Sequence, residues 1–373
     1  MTVQANEPHG AIENIAAEET AQIDECTALM GHLVDRRYAT AARFLRGVHP
    51  KDHGCVMASF TIAADLPAEL RVGVFKTPGQ VFRAAIRFSN AAPLDDDDAP
   101  FETNPFSGAI ARTQGSRGMA IKLYEVEGAR LMPDDSEQSQ DFLMINQPVF
   151  SFANIEDYLE LNRIIRDDDK VAGKFFARTG LSPEAQQRML KSRDIIFRIK
   201  GFVPPPFQPS PLSPLDNSYF SAAPFLLGEG RAMKFVCKPL NPATGELGDA
   251  VNDPDYLLTA MRTRMAAADG NDICFTFQIQ VRDAASLAGK IDTEIEDACT
   301  EWTEPFIDAA HIRISPQDIA SPERREFCET LFYTPWHGLA EHRPLGGINR
   351  LRRNVYDISA ERRGCPVSPN PPA

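Results

Sequence analysis

The residues best equipped for chemistry stand near the end of the chain, in RLRRNVYDISAERRG at 350–364, where one tyrosine, Tyr356, sits among five arginines. If the stretch is helical, Arg352 lies one turn before Tyr356 and Arg363 two turns after it, so the three share a face. A phenol titrates at about pH 10, and fixed positive charge beside it favours its anion. Two more arginines keep company elsewhere. Arg46 precedes His49 by three residues in RGVHPK, and Arg87 precedes Ser89 by two in IRFSN. Taken singly, each arginine reads as a surface charge or helix-end partner, and a lone histidine as structural. Taken together, their spacing shifts the balance away from those readings.

Other sources of chemistry are absent or weak. The sequence has no G-x-S-x-G, no G-x-G-x-x-G and no P-loop, which removes the simplest serine-hydrolase and nucleotide-binding readings. The seven cysteines are odd in number, scattered and without a C-x-x-C pair, which argues against structural zinc or a disulfide framework. His49, His53 and Cys55 are too crowded for an ordinary tetrahedral zinc loop. The acidic run at 95–98 reads as a solvated loop.

A formal net charge of −13 disfavours nucleic acid or an anionic membrane as partner, and makes the local arginine clusters more informative. No apolar run is long enough to span a bilayer, and the N-terminus shows no secretion-signal pattern, so the expectation is a cytoplasmic protein. At 373 residues the chain can bury one large core.

The elements that must position these residues follow from periodicity. Residues 11–46 read as helical. Short apolar runs at 54–63, 81–90, 118–126 and 141–146 read as strands. Two helices follow at 154–168 and 182–199, each opened by an Asn or Ser cap, then a proline-rich connector at 203–217. A second group of strands is expected at 219–227, 232–240, 272–283 and 309–315, with a helix at 253–270 ended by Gly270. Two groups of about four strands, interrupted by helices, suggest a large antiparallel barrel with helices outside it. The connector reads as a crossing within one domain.

Five motifs, in order, resemble the haem catalase superfamily: R-x-V-H-x-K at 46–51, RFS at 87–89, RGMAIKLY at 117–124, N-x-P-x-F at 146–150 and R-x-x-x-Y at 352–356. AMKFVCK and FTFQIQV also resemble its later barrel strands. The resemblance covers roughly 40–364 and implies an α+β fold with an eight-stranded antiparallel β-barrel and surrounding helices. It lacks the long N-terminal arm and C-terminal helical domain of full catalases, and is closest to compact catalase-related peroxidases and allene oxide synthases. The implied organisation is a helical segment at 1–40, a haem-binding domain at 41–364 and a disordered tail at 365–373.

The resemblance also assigns roles. Tyr356 would be the proximal ligand of ferric haem b, as phenolate, with Arg352 supporting the anion. Arg46, Arg87 and Arg363 would hold the propionates, which are expensive to bury unpaired. His49 would be the general acid–base, oriented by Ser89, with Asn146 donating to the peroxide. Val48 would narrow the channel and Phe150 would flank the haem. Two departures stand out: the family's double asparagine is here INQP, which leaves Asn146 displaced by one position, and the phenylalanine of GCVMASF stands one residue further from His49. His53 is a rival for the distal role.

The implied function is a haem-dependent peroxidase or catalase-like oxidoreductase acting on hydrogen peroxide or an organic hydroperoxide. The alternatives are a lipid hydroperoxide isomerase or lyase, and a haem-binding protein without turnover. The partner is a small peroxide or lipid hydroperoxide, and a homodimer is compatible with the resemblance.

Overall fold

Alternating sequence produces the strands, and the alternation decides which face each side chain occupies. The computed structural model describes residues 12–91, 97–132, 138–167, 173–266, 271–365 and 367–368. Its strands are β1 (Asp52–Ile62), β2 (Val81–Asn90), β3 (Phe101–Thr103), β4 (Ile110–Arg112), β5 (Arg117–Tyr124), β6 (Ser139–Ile145), β7 (Tyr219–Phe220), β8 (Phe225–Leu226), β9 (Arg231–Pro239), β10 (Ile273–Asp283) and β11 (Ile307–Ile314). Its helices are α1 (Glu19–Arg37), α2 (Ile155–Asp167), α3 (Gly173–Phe176), α4 (Pro183–Ile199), α5 (Tyr256–Ala266), α6 (Ala284–Leu287), α7 (Ile291–Glu294), α8 (Pro322–Thr330) and α9 (Gly347–Arg362).

Eight strands close into an antiparallel barrel in the order β1-β2-β5-β6-β7-β9-β10-β11, with β11 returning to β1. Every barrel neighbour is therefore next in the chain among the barrel strands, so the sheet closes without a long crossover and leaves no edge in the ring. β8 adds to β9 outside the ring, and β3 with β4 forms a separate hairpin. The proline-rich connector joins α4 to β7 within this one barrel.

The barrel interior is packed, not hollow. Phe60, Phe75, Phe142, Phe235 and Phe277 are buried there, with Phe142 rings 4.9 Å from Phe277 and 5.1 Å from Phe235. Each such side chain contributes roughly 1.5–3 kcal/mol by leaving water. In β2 the inward set is Phe82, Ala84, Ile86 and Phe88. Arg87 and Ser89 consequently point outward, so a site built on them lies outside the barrel wall.

Helices cover that outer wall. α1 packs on α2 and α9 through Ile23, Cys26 and Met30 against Ile155, Leu159, Leu351 and Val355. α9 starts at Gly346, whose φ is 83° and where a Cβ would fall 2.5 Å from the Ile295 carbonyl oxygen. Its first turn is capped by carboxylates: Gly346 N donates to Glu13 and Gly347 N to Glu296. Arg350, one turn on and fully buried, pairs with Glu13, Glu19 and Glu296.

Several expectations are corrected. The first helix spans Glu19–Arg37 rather than 11–46, because the chain folds back after it: the Tyr38 hydroxyl donates to the Arg46 carbonyl at 3.1 Å. The expected strand at 219–227 is two short pieces, broken at Ala222 with φ 60°. Asp98 is no part of a solvated loop. It is buried, accepting from Asn90 Nδ2 at 2.8 Å and Leu257 N at 3.0 Å, with Lys51 at 3.1 Å. Asp95, Asp96, Gly270 and most of the tail lie outside the described residues, although Ser368 Oγ donates to the Phe332 carbonyl at 3.1 Å. No helix among the described residues is long and apolar enough to cross a membrane.

Candidate functional site

A cavity lies between the outer face of β2, β5 and β6 and the inner face of α9. The strand wall supplies Arg87, Ser89, Gly118, Ala120, Leu143 and Ile145, and the helix wall supplies Ile348, Arg352, Tyr356 and Ser359. Arg46, Val48 and His49 arrive from the segment before β1, Phe150 from the loop after β6, Phe332 and Tyr333 from the loop after α8. Nine of the ten residues singled out from the sequence thus line one space.

On the strand side, His49 Nδ1 lies 3.0 Å from Ser89 Oγ, which leaves Nε2 as the ring nitrogen available for proton exchange. The His49 backbone has φ 57°, a left-handed conformation unusual for a residue with a Cβ and typical of functional sites. The ring rests on Gly118: a Cβ there would stand 2.3 Å from Nδ1 and 2.9 Å from Ser89 Oγ. Ser89, Gly118 and Ile145 are lateral neighbours across three strands, so the register of the barrel builds this wall. Burial first, then the positive charges of Arg87, Arg352 and Arg46, push the His49 pKa down to about 3. The imidazole is accordingly neutral, a proton acceptor, at ordinary pH.

The rival, His53, is fully buried away from the cavity, with Nε2 2.8 Å from Asn90 Oδ1. Asn146 does not line the cavity either. Its Oδ1 accepts from Arg117 N at 2.7 Å and its own N donates to the Arg117 carbonyl at 3.0 Å. Leu143 and Ile145 face outward from β6, and Asn146, the first residue beyond that strand, is held to Arg117 by those two bonds. The place beside Gly118 belongs to Ile145, and no amide side chain is among the lining residues. Phe60, the phenylalanine of GCVMASF, packs inside the barrel, 5.3 Å from Phe277.

On the helix side, Tyr356 follows Arg352 by one turn of α9, and the Arg352 guanidinium lies 5.4 Å from the tyrosine ring centroid. Arg352 Nη1 donates to Asn349 Oδ1 at 3.0 Å, which fixes its direction. Arg46, Arg87 and Arg363 form a third group. Arg46 and Arg87 are almost fully buried, and the Nε atoms of Arg87 and Arg363 have no hydrogen-bond partner. Burial, with repulsion from Arg46, lowers Arg363 to about 9. Buried guanidinium donors left unmatched are a seat for an anion that brings its own oxygens.

Three residues that sequence reading did not assign belong to this site. Gly118 was visible only as a letter of RGMAIKLY. Ile145 was hidden by the asparagine beside it. Glu329, whose carboxylate meets Arg46 at 3.0 Å, has no motif.

No family model matches the chain, and no curated protein matches its sequence. Among solved structures it is similar to a fungal catalase at TM-score 0.63 and 16% identity, covering 97% of this chain and 66% of the catalase. It is also similar to a bacterial catalase at TM-score 0.60 and 15% identity, covering 90% of this chain and 60% of that one. The fold is catalase-like. The chain spans less than two thirds of the length of either of these catalases.

Proposed function

We propose that this protein binds haem b and acts as a haem-dependent peroxidase or catalase-like oxidoreductase on hydrogen peroxide or organic hydroperoxides. The observation that carries the reading is one cavity with His49 and Ser89 on one wall, Tyr356 and Arg352 on the other, and the buried Arg46 and Arg87 with the partly buried Arg363 along its lining. The donor set fits the group: a phenol for ferric iron, and guanidinium Nε atoms of Arg87 and Arg363 with no partner of their own. Arg46, Arg87 and Arg363 would hold the propionates, Tyr356 the iron, while Val48 and Phe150 bound the cavity. When bound, ferric haem supplies the redox centre for cleavage of the O–O bond.

The chain's own residues then manage protons and access. Neutral His49 takes the hydroperoxide proton on Nε2 and returns it to the departing oxygen. Its depressed pKa makes the protonated ring a strong acid, which favours that return. Ser89 holds the ring's orientation through Nδ1. Arg352 stands over the Tyr356 ring, its guanidinium 5.4 Å from the ring centroid. Asn146 is given no part, since it is not among the residues that line the cavity.

A second reading, rearrangement or cleavage of a lipid hydroperoxide, is favoured by the apolar lining of Ala120, Leu143, Ile145 and Phe150. A purely haem-holding protein would have no use for the His49–Ser89 pair. The test is the visible spectrum of protein produced with haem precursor, beside Tyr356→Phe. A high-spin ferric spectrum, lost or shifted in the variant, is expected; no haem uptake would defeat the reading. Products from a fatty-acid hydroperoxide, with and without a reductant, separate the first two readings, because isomerisation consumes no reductant.

A further inference from the structure

Arg46, Arg87 and Arg363 converge on one mount, the end of α8 and the residue that follows it. Arg46 Nη2 donates to the carbonyls of Cys328 and Leu331 at 3.0 and 2.8 Å. Arg363 Nη1 donates to the Glu329 carbonyl at 2.6 Å and Nη2 to that of Leu331 at 3.4 Å. Within this ring the Glu329 carboxylate stands 3.0 Å from Arg46 Nη1 and 3.8 Å from Arg87 Nη2. Burial pushes the Glu329 pKa up, but Arg46, Arg87 and Arg363 together hold it below the usual carboxylate value, so it is ionised.

Glu329 does not occupy the ligand's seat. It is absent from the cavity lining, and the Nε atoms of Arg87 and Arg363 stay unmatched despite it. We propose that Glu329 is a positioning residue for the cofactor, holding the guanidiniums of Arg46, Arg87 and Arg363 together where they would meet it. This rests on the haem reading above.

The physical reason is the cost of crowding like charges out of water. Arg363 faces Arg46 from the segment before β1, Arg87 from β2, Glu329 from α8 and Cys365 from its own segment. Glu329 and Cys365 raise its pKa while Arg46 and Arg87 lower it, and the balance is already about 9. Removing the carboxylate leaves the repulsion among the three guanidiniums with less opposition, so they spread and no longer converge on one anion.

The experiment titrates apo wild type, Glu329→Gln and Glu329→Asp with ferric haem, followed by Soret absorbance. Glu329→Gln should weaken haem binding about tenfold at neutral pH, as expected for loss of a buried charged hydrogen bond. Glu329→Asp, which keeps the charge, should recover most of the affinity. A Gln variant that binds as tightly as wild type, or more tightly, would overturn this inference alone. A wild type that takes up no haem would overturn the haem reading and this inference together.

Discussion

Substituting Gly118 by alanine isolates the contribution of His49 placement. Gly118 lies inside β5 in strand geometry, so alanine adds one methyl group and asks nothing unusual of the backbone. That methyl would stand 2.3 Å from Nδ1 and 2.5 Å from Cε1 of His49. To regain ordinary van der Waals separation the ring must withdraw by about 1 Å. The methyl also stands 2.9 Å from Ser89 Oγ, so the 3.0 Å His49–Ser89 hydrogen bond cannot survive unchanged. Misplacing a catalytic group by about 1 Å costs roughly 10²-fold in rate, and overpacking costs about 1–3 kcal/mol of stability. The assay is kcat/KM for hydroperoxide consumption by holoprotein, normalised to haem content, with melting followed separately. A variant that folds, carries haem and keeps activity within about twofold of wild type would refute both the packing argument and the role given to His49.

Other predictions follow from the same geometry. Asn146→Ala should leave hydroperoxide turnover within about threefold of wild type while lowering stability by about 1–3 kcal/mol, since it strands the Arg117 N–H; a 10²-fold loss of rate would restore Asn146 to the site. Arg350→Ala should destabilise by about 3–5 kcal/mol, because three carboxylates lose their common partner. It should also loosen haem retention, since that cluster anchors the start of the helix bearing Tyr356; a thermal melt with unchanged midpoint would contradict it. Stability should fall in acid. Burial drives His49 to about 3, and His53 and His342 to about 4, against about 6.5 in the unfolded chain. The unfolded state therefore takes up protons first, and stability present above about pH 6.5 is lost progressively toward pH 4. A melting temperature flat from about pH 6.5 to pH 4.5 would contradict those buried, neutral histidines.

Much of this molecule was legible in its letters because local periodicity carries long-lasting information. The run at 81–90 reads as a strand and is one, residue for residue, with Arg87 and Ser89 on the same face. Tyr356, Arg352 and Arg363 fall on one face of a helix because four and seven residues are about one and two turns. Gly346 and the carboxylate caps that aim this helix were not legible, since Glu13 and Glu296 reach it from distant parts of the chain. The acidic run at 95–98 looked solvated because charge alone says nothing of partners; Asp98 is buried by bonds to Asn90 and Leu257.

Periodicity by itself indicated most of the strands, a large antiparallel barrel, and one helix face shared by Arg352, Tyr356 and Arg363. The tertiary structure alone decided which side of the barrel wall the phenol, the histidine and the arginines share, that Ile145 rather than Asn146 stands beside Gly118, and that Glu329 joins the arginines. The reason is register. A shift of one residue along β6 exchanges the two faces of the strand, and Glu329 meets Arg46 across 283 positions of sequence, a distance over which only barrel closure and helix packing set who touches whom.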